Sequence, residues 1–281
     1  MEVLQLDTLS GWSWIRNGFE LFRKSPMVWS ALLFTYLLIS FSLYLFLPLI
    51  GLILFYLVDP LFVAGFMLGC KALESGQKLE IAHLFSAFKH NASRLVTLGG
   101  INLVGRIIIF GAISLFFVNS GYDIYLDKIE QGNFMWLFSS GMELKILVWL
   151  FALAAVMLPL YMAYWFSPAL VEFDEIEPFD AIRLSFKGCV RNAKAFLFYT
   201  LTFFLVMIAF FLAVSIIGAA LGLMTMLLGN GVIMKIVIGY IGLTLALLCW
   251  VGVQVLIATS QYMSYRAIFR TPEESDGLMA L

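Results

Sequence analysis

The sequence predicts an all-α protein that crosses a membrane six times. Of its 281 residues, 62% are hydrophobic and only 12% are charged, whereas a soluble domain carries about a quarter charged residues. The apolar residues form continuous runs of roughly 20, the length of a membrane-spanning helix, rather than the alternating pattern of a barrel strand. In addition, one short amphipathic motif occurs three times, each time directly before an apolar run.

The repeated motif predicts three short helices in the plane of the membrane interface. Its copies are Ile15-x3-Phe19-x2-Phe22-x2-Ser25, Ile81-x3-Phe85-x2-Phe88-x2-Asn91 and Ile182-x3-Phe186-x2-Cys189-x2-Asn192. Side chains at this spacing share one helix face, while polar and basic residues occupy the other, which is typical of a helix in the headgroup layer. We expect these helices at about residues 12–24, 80–91 and 180–192. Ser25, Asn91 and Asn192 are predicted N-caps of the helices that follow.

The apolar runs place the six spans. A tight turn is expected at Pro48–Gly51, and Asp59-Pro60 should kink or break the second span. The expected spans are about residues 27–46, 50–72, 94–118, 145–166, 194–218 and 235–260. Between and after them we expect a polar outer loop at 119–143, an acidic loop at 167–180, a turn at 229–231 and a polar tail from 261 that is frayed at its end.

The distribution of positive charge predicts the orientation. The N-terminal segment holds three Lys or Arg residues, the two loops that contain the second and third motif copies hold four each, and the tail holds two, against three on the other side. The positive-inside rule then places both termini in the cytoplasm. The polar, tryptophan-bearing opening is unlike a signal peptide, so we expect the whole chain to be the mature protein.

Two stretches resemble a known group of bacterial membrane proteins. They are Ala181-x3-Ser185-Phe186 followed by Arg191-Asn192, and Gly11-Trp12-x-Trp14 followed by Phe22-Arg23-x2-Pro26-x2-Trp29. The first resembles the membrane domain fused to some glycerophosphodiester phosphodiesterases and the inner-membrane families of the YciC type, and the second is similar to a proteobacterial branch of that group. The resemblance implies a six-helix protein of the bacterial inner membrane. It implies no catalysis, because the phosphodiesterase activity belongs to a separate soluble barrel domain.

Asp59 and Arg106 are two charges inside the expected spans, and an ionisable side chain in a membrane marks a candidate functional site. They lie about 10 and 12 residues from the outer ends of their spans, so their depths agree within about one turn. Three arrangements are open. The two side chains could form a structural pair, they could line a polar cavity or transport path with Asn102, or they could stay unpaired if Asp59-Pro60 lies in a surface break.

Five basic residues beside the motif copies are candidate contacts for anionic lipid headgroups, at about 1 kcal/mol each. They are Arg23, Lys24, Lys89, Arg191 and Lys194. The motif copies could simply cushion the spans, could recruit lipid or a partner, or could be a chance similarity. Since the basic residues alternate with apolar anchors, they favour lipid over nucleic acid as the partner.

We expect no catalytic, cofactor or metal site. Cys70, Cys189 and Cys249 form no CxxC pair and are predicted to be small buried hydrophobes. His83 and His90 have no third ligand beside them and are expected to be solvated. The sequence lacks a Ser/His/Asp arrangement, a phosphate-binding glycine loop and a zinc-protease motif. A Gly-x3-Gly pattern at 218–222 permits close approach of another helix.

These observations predict a non-enzymatic scaffold or accessory protein that interacts with lipids, with another membrane protein or with itself. The alternative is a transporter of a small molecule or lipid that uses the polar site around Asp59 and Arg106. An open polar cavity reaching one face would favour the transporter, and closed packing would favour the scaffold. An intramembrane enzyme is poorly supported.

Overall fold

The computed structural model describes residues 2–119, 142–227 and 232–269. They form nine α-helices and one 3-10 helix, η1, and no strand. In chain order these are α1 (Ser10–Lys24), α2 (Pro26–Phe46), α3 (Pro48–Glu74), η1 (Ile81–Phe88), α4 (Ala92–Asn119), α5 (Met142–Trp165), α6 (Ser167–Asp174), α7 (Pro178–Arg191), α8 (Ala193–Leu227) and α9 (Val232–Phe269).

Six of the described helical segments are long and apolar enough to cross a membrane, which confirms the predicted fold class. They are α2, α3, α4, the combined α5–α6 segment, α8 and α9. Only Phe166 separates α5 from α6. Large apolar side chains such as Phe34, Phe151 and Phe204 are exposed along these helices, as expected for surfaces that face lipid tails.

The three amphipathic segments lie at one end of the bundle, which we call the amphipathic end. Here α3, α6 and α9 end, and α2, α4 and α8 begin. Helix α1 packs on α9, where a Cβ added to Gly18 would lie 2.8 Å from the backbone nitrogen of Ser260. Helix η1 packs on α3, where Gly65 lies directly against the backbone of Leu84. The small residues allow these backbones to approach closely.

The best-packed part of the core also lies at the amphipathic end. Its fully buried large side chains include Trp14, Trp29, Phe166, Tyr262 and Tyr265. The described ends of the chain meet there as well, because the backbone N–H of Leu4 donates a 2.9 Å hydrogen bond to the carbonyl of Ile268. Both described ends of the chain therefore lie on the same side of the bundle.

Helix α9 is longer than the sequence predicted, because residues 261–269 of the expected polar tail continue it. Tyr262, Tyr265 and Phe269 are buried. These aromatic side chains recur at i, i+3 and i+7, so they share one helix face. That face packs against Phe166 and Phe173. Ser and Arg residues between them lower the local hydropathy, which hid the continuation of the helix. Residues 270–281 lie outside the described part.

Helix α3 runs through Asp59 and Pro60 without interruption, so the expected break is absent from this described helix. Proline removes the hydrogen bond to the carbonyl four residues earlier, here that of Tyr56. Gly99 of α4 packs against this carbonyl, and a Cβ at Gly99 would lie 2.5 Å from the Tyr56 oxygen. A neighbouring backbone thus covers the carbonyl that Pro60 leaves without its helical partner.

Other boundaries also differ from the prediction. A single residue, Leu47, separates α2 from α3, and Pro48 already belongs to α3. Residues 167–174, expected in an acidic loop, form α6 instead. The predicted outer loop at 119–143 lies almost wholly outside the described residues, and the predicted turn at 229–231 lies entirely outside them.

Candidate functional site

Asp59 is the centre of a polar cluster inside the predicted membrane region. Its Oδ1 accepts a 2.8 Å hydrogen bond from the hydroxyl of Tyr36 on α2. Its Oδ2 accepts a 3.2 Å hydrogen bond from the hydroxyl of Tyr164 on α5. A carboxylate among apolar side chains needs such donors. The two tyrosines supply them from two different helices.

Arg106 occupies the other side of the cluster. Its Nε donates a 3.0 Å hydrogen bond to Oδ1 of Asn102, one turn earlier on α4. Its guanidinium carbon lies 5.1 Å from the ring centre of Tyr56 and 5.3 Å from that of Tyr161, within the range of a cation–π interaction. Asn102 is buried and lies beside Tyr164, so the polar groups form one continuous series from Tyr36 to Arg106.

The three residues predicted for an intramembrane site are therefore brought together. However, none of the ion pairs between described residues joins Asp59 directly to Arg106. Tyr164 and Asn102 lie between them. Sequence reasoning missed the four tyrosines because aromatic residues in spans are usually assigned to the interface. The sequence did point to these tyrosines, because a tyrosine hydroxyl deep in a span requires a polar hydrogen-bond partner.

The cluster connects four helices, α2 to α5, and its charged groups are surrounded by protein partners. The carboxylate of Asp59 has a donor on each oxygen, and Arg106 lies between two aromatic rings. This arrangement is suited to holding helices together. Within the described residues, no three His, Cys, Asp or Glu side chains are close enough to hold a metal ion.

A second polar cluster, which the sequence analysis missed, ties α3 to the end of α9. The hydroxyl of Tyr262 donates a 2.6 Å hydrogen bond to Oε2 of Glu74, and Arg266 forms an ion pair with Oε1 of the same carboxylate. Nearby, the hydroxyl of Tyr265 donates a 2.5 Å hydrogen bond to Asp174 at the end of α6. The Arg266 and Glu74 side chains are only 11% and 18% exposed, so this pair is largely shielded from solvent.

The five predicted headgroup contacts are all exposed at the amphipathic end, and none forms an ion pair with a described carboxylate. They are Arg23, Lys24, Lys89, Arg191 and Lys194. Lys24 also reaches the carbonyl of Leu73 at 3.5 Å. By contrast, Arg94 and Arg183 at the same end are paired with Glu177 and Asp180. The five remain available to an external anion.

The three motif copies present equivalent side chains to the outside. Phe19, Phe85 and Phe186 are 46%, 37% and 40% exposed. The residue before each of them is buried against the bundle: Gly18, Leu84 and Ser185. The residue two positions after each phenylalanine is buried as well, namely Leu21, Ala87 and Gly188. Each copy thus has an inward stripe, rich in small residues, and an outward phenylalanine, which suits a helix that packs on the bundle while facing the headgroup layer.

The predicted N-caps serve other purposes. Ser25 makes no side-chain capping bond. The side chain of Asn192 instead accepts a 2.8 Å hydrogen bond from Leu6 and donates one of 2.9 Å to the carbonyl of Leu4. Asn91 donates to Glu172 at 3.5 Å. Ser25 and Asn192 thus occupy the position directly before α2 and α8, as predicted, but the capping hydrogen bond is absent at Ser25, and the Asn192 amide is used by the N-terminal segment.

The structure also shows the environment of the three cysteines and of His83. Cys70 and Cys189 are buried, as predicted, while Cys249 is partly exposed. Burial raises the pKa of the Cys189 thiol to about 12, so the thiol is neutral at physiological pH. Nδ1 of His83 accepts a 3.0 Å hydrogen bond from the backbone N–H of Glu80 and thereby caps η1.

Comparison with known proteins agrees with the assignment of this chain to a membrane. A protein of Burkholderia thailandensis, described as a probable inner membrane protein, is 28% identical over 235 residues, which is 79% of this chain and 82% of that protein. No protein-family model and no solved structure matches the sequence. The six span-length helices and this similarity show that the chain is a multi-pass membrane protein whose relative is described as residing in the inner membrane.

Proposed function

We propose that this chain is a non-enzymatic scaffold or accessory protein of the inner membrane that interacts with lipids and with another membrane protein or a second copy of itself. The observation that carries the proposal is the shared exposure, at the amphipathic end, of three equivalent phenylalanines and five basic side chains without described carboxylate partners. Apolar side chains that enter the headgroup layer, with cations beside them, bind an anionic leaflet. The positive-inside rule then places this end, and both termini, in the cytoplasm.

Transport of a small molecule or lipid through the site around Asp59 and Arg106 is the alternative. A transport site keeps its polar groups available to a substrate. Here both oxygens of Asp59 are bonded to tyrosines, and Arg106 lies between two aromatic rings. This packing favours a structural role for the cluster and supports the scaffold.

The resemblance to the YciC-type families and to the phosphodiesterase membrane domain belongs to the same proposal. It predicts a shared architecture with amphipathic segments at the cytoplasmic face. It transfers no catalytic residue to this chain, because the chemistry of the fused relatives belongs to their soluble domain.

Cysteine labelling tests the proposed placement. In a background without the native cysteines, Lys89→Cys and Arg191→Cys should react with a membrane-impermeant maleimide in inverted vesicles and not in intact cells. Reaction in intact cells would place the amphipathic end outside and overturn the proposal. Extraction with surrounding native lipid, followed by mass spectrometry, should then recover anionic lipid and a protein partner.

A further cysteine separates the scaffold from the transporter. Asn102→Cys should resist a charged thiosulfonate reagent from both sides of the membrane, because this position is buried. Rapid reaction from one side would reveal a water-filled path to the cluster and would favour transport.

A further inference from the structure

A groove of about 430 Å³ lies on the bundle surface between α5 and α8. Helix α5 contributes Leu158, Tyr161 and Trp165 to its wall, and α8 contributes Ala193, Leu197 and Thr200. Nearly all of this wall is apolar. Its volume falls within the range of about 300–1,000 Å³ that is usual for ligand pockets.

The groove begins at the amphipathic end and extends into the membrane region. Its residues on each helix span eight positions, from Trp165 back to Leu158 and from Ala193 to Thr200, which corresponds to a rise of about 10 Å along each axis. That is about a third of a 30 Å hydrocarbon layer. The groove therefore belongs to the leaflet on the side of the amphipathic helices, and its dimensions suit part of one extended acyl chain.

Two cations lie close to the amphipathic end of the groove. Arg191 and Lys194 flank the junction of α7 and α8, where Ala193 lines the groove, and their long side chains can extend towards it. Both cations are exposed and have no ion-pair partner among the described carboxylates.

The nearest acidic residues on α7 do not neutralise these two cations. Glu177 and Asp180 lie at the other end of the helix, about 15 Å or more away, and each is paired with an arginine. Asp7 also lies near this junction, because Leu6 is bonded to Asn192, but its side chain accepts a hydrogen bond from Thr8 and forms no ion pair with either cation. The apolar groove thus ends close to two cations that have no ion-pair partner among the described carboxylates.

We propose that this groove holds one acyl chain of an anionic glycerophospholipid, with the phosphate of its headgroup at Arg191 and Lys194. The inference rests on the proposed lipid interaction and specifies which lipid binds and where. Apolar walls accept the chain, and the two cations select an anionic headgroup over a zwitterionic one. A lipid seated in this way exchanges more slowly than the lipids that surround the rest of the bundle.

Native mass spectrometry of the full chain tests the proposal, with phosphatidylglycerol or phosphatidylethanolamine added to the detergent solution. The wild-type chain should retain one phosphatidylglycerol in preference to phosphatidylethanolamine. Thr200→Trp, which fills the groove, should lose this retention, whereas Leu201→Trp should keep it, because Leu201 is exposed on the same helix but does not line the groove. Neutralising Arg191 or Lys194 to Gln should weaken retention about fivefold each. The control Lys78→Gln, which removes an exposed cation outside the five proposed headgroup contacts, should leave retention unchanged.

A spin-labelled phosphatidylglycerol provides a second readout that needs no folding-sensitive variant. Its spectrum with the wild-type chain should contain an immobilised component that unlabelled phosphatidylglycerol displaces. Equal lipid retention by Thr200→Trp and Leu201→Trp would show that the groove does not hold the acyl chain. If only the Gln variants lost lipid, binding of the acyl chain in the groove would be refuted, whereas the proposed interaction with lipids would stand. If the wild-type chain showed no preference for anionic lipid, both the lipid site in the groove and the proposed lipid interaction would be refuted.

Discussion

The side-chain oxygen of Asn192 accepts a 2.8 Å hydrogen bond from the backbone N–H of Leu6, across 186 positions of the chain. The amide nitrogen of the same side chain donates to the carbonyls of Leu4 and Gly188, at 2.9 Å and 3.0 Å. Asn192 is buried, so these bonds have no competition from water. One asparagine therefore fixes the N-terminal segment to the junction of α7 and α8.

We expect Asn192→Ala to lower the unfolding free energy by about 1–3 kcal/mol, because it leaves partly buried backbone groups of the N-terminal segment without partners. Limited proteolysis should also become faster within residues 2–9. Asn91→Ala is the matched control from the equivalent motif position, and its longer bonds to Glu172 predict a smaller loss. Equal losses for the two variants would contradict this interpretation.

Double-mutant cycles should show which partner Asp59 depends on. Arg106→Ala should weaken the fold, and Asp59→Asn should offset part of that loss because the two charges are opposite. Asp59→Asn combined with Tyr164→Phe should give the larger coupling energy, about 1 kcal/mol or more, since their side chains are in direct contact. Unfolding in mixed micelles measures each cycle. Additive effects for Asp59 and Tyr164 would contradict the structure.

Gly18→Val should destabilise the protein by about 1–3 kcal/mol, because a larger side chain must push α1 away from α9. An added Cβ would lie 2.8 Å from the nitrogen of Ser260. The control is Gly111→Val in α4, where an added Cβ meets no described atom within 4 Å. Thermal unfolding in detergent should separate the two variants, and matching midpoints would argue against close packing of α1.

Arg266→Ala should cost about 3 kcal/mol by removing the cation from the largely shielded carboxylate of Glu74. A second change, Glu74→Gln, should recover part of the loss, since the uncompensated charge disappears. Tyr262→Phe should cost less, about 1–2 kcal/mol, because it removes a single hydrogen bond. Unfolding free energies from urea or mixed-micelle titration provide the comparison, and an absence of recovery in the double variant would refute the pairing.

Cys189 should be unreactive towards iodoacetamide between pH 7 and pH 9. Burial raises the pKa of its thiol from about 9 to about 12, and only the thiolate attacks. Since the folded-state pKa is the higher one, the neutral thiol favours folding below pH 9, and this contribution is lost as the pH rises towards 12. With the other two cysteines replaced, Arg191→Cys provides an exposed control, whose alkylation rate should increase steeply over the same range. A parallel increase at Cys189 would show that the thiol is solvated.

The spans were predictable because their signal is strong: long apolar runs allow few alternatives to a membrane helix. The packing contacts between the amphipathic helices and the bundle could not be predicted from the sequence. Sequence reasoning assigned the motif by its phenylalanines, yet the bundle is contacted through Gly18, Ala87 and Gly188, small residues that no hydropathy pattern reveals. Charge alone also identified Asp59 and Arg106 and could not show that tyrosines from other helices separate them.

The bond between Leu4 and Ile268 has a consequence for biogenesis. The segment around Leu4 precedes all six described spans and binds the last of them, so it stays undocked until α9 has been made. Docking of this segment must follow insertion of the sixth described span, and shortening α9 before Ile268 would leave residues 2–9 exposed to cellular proteases.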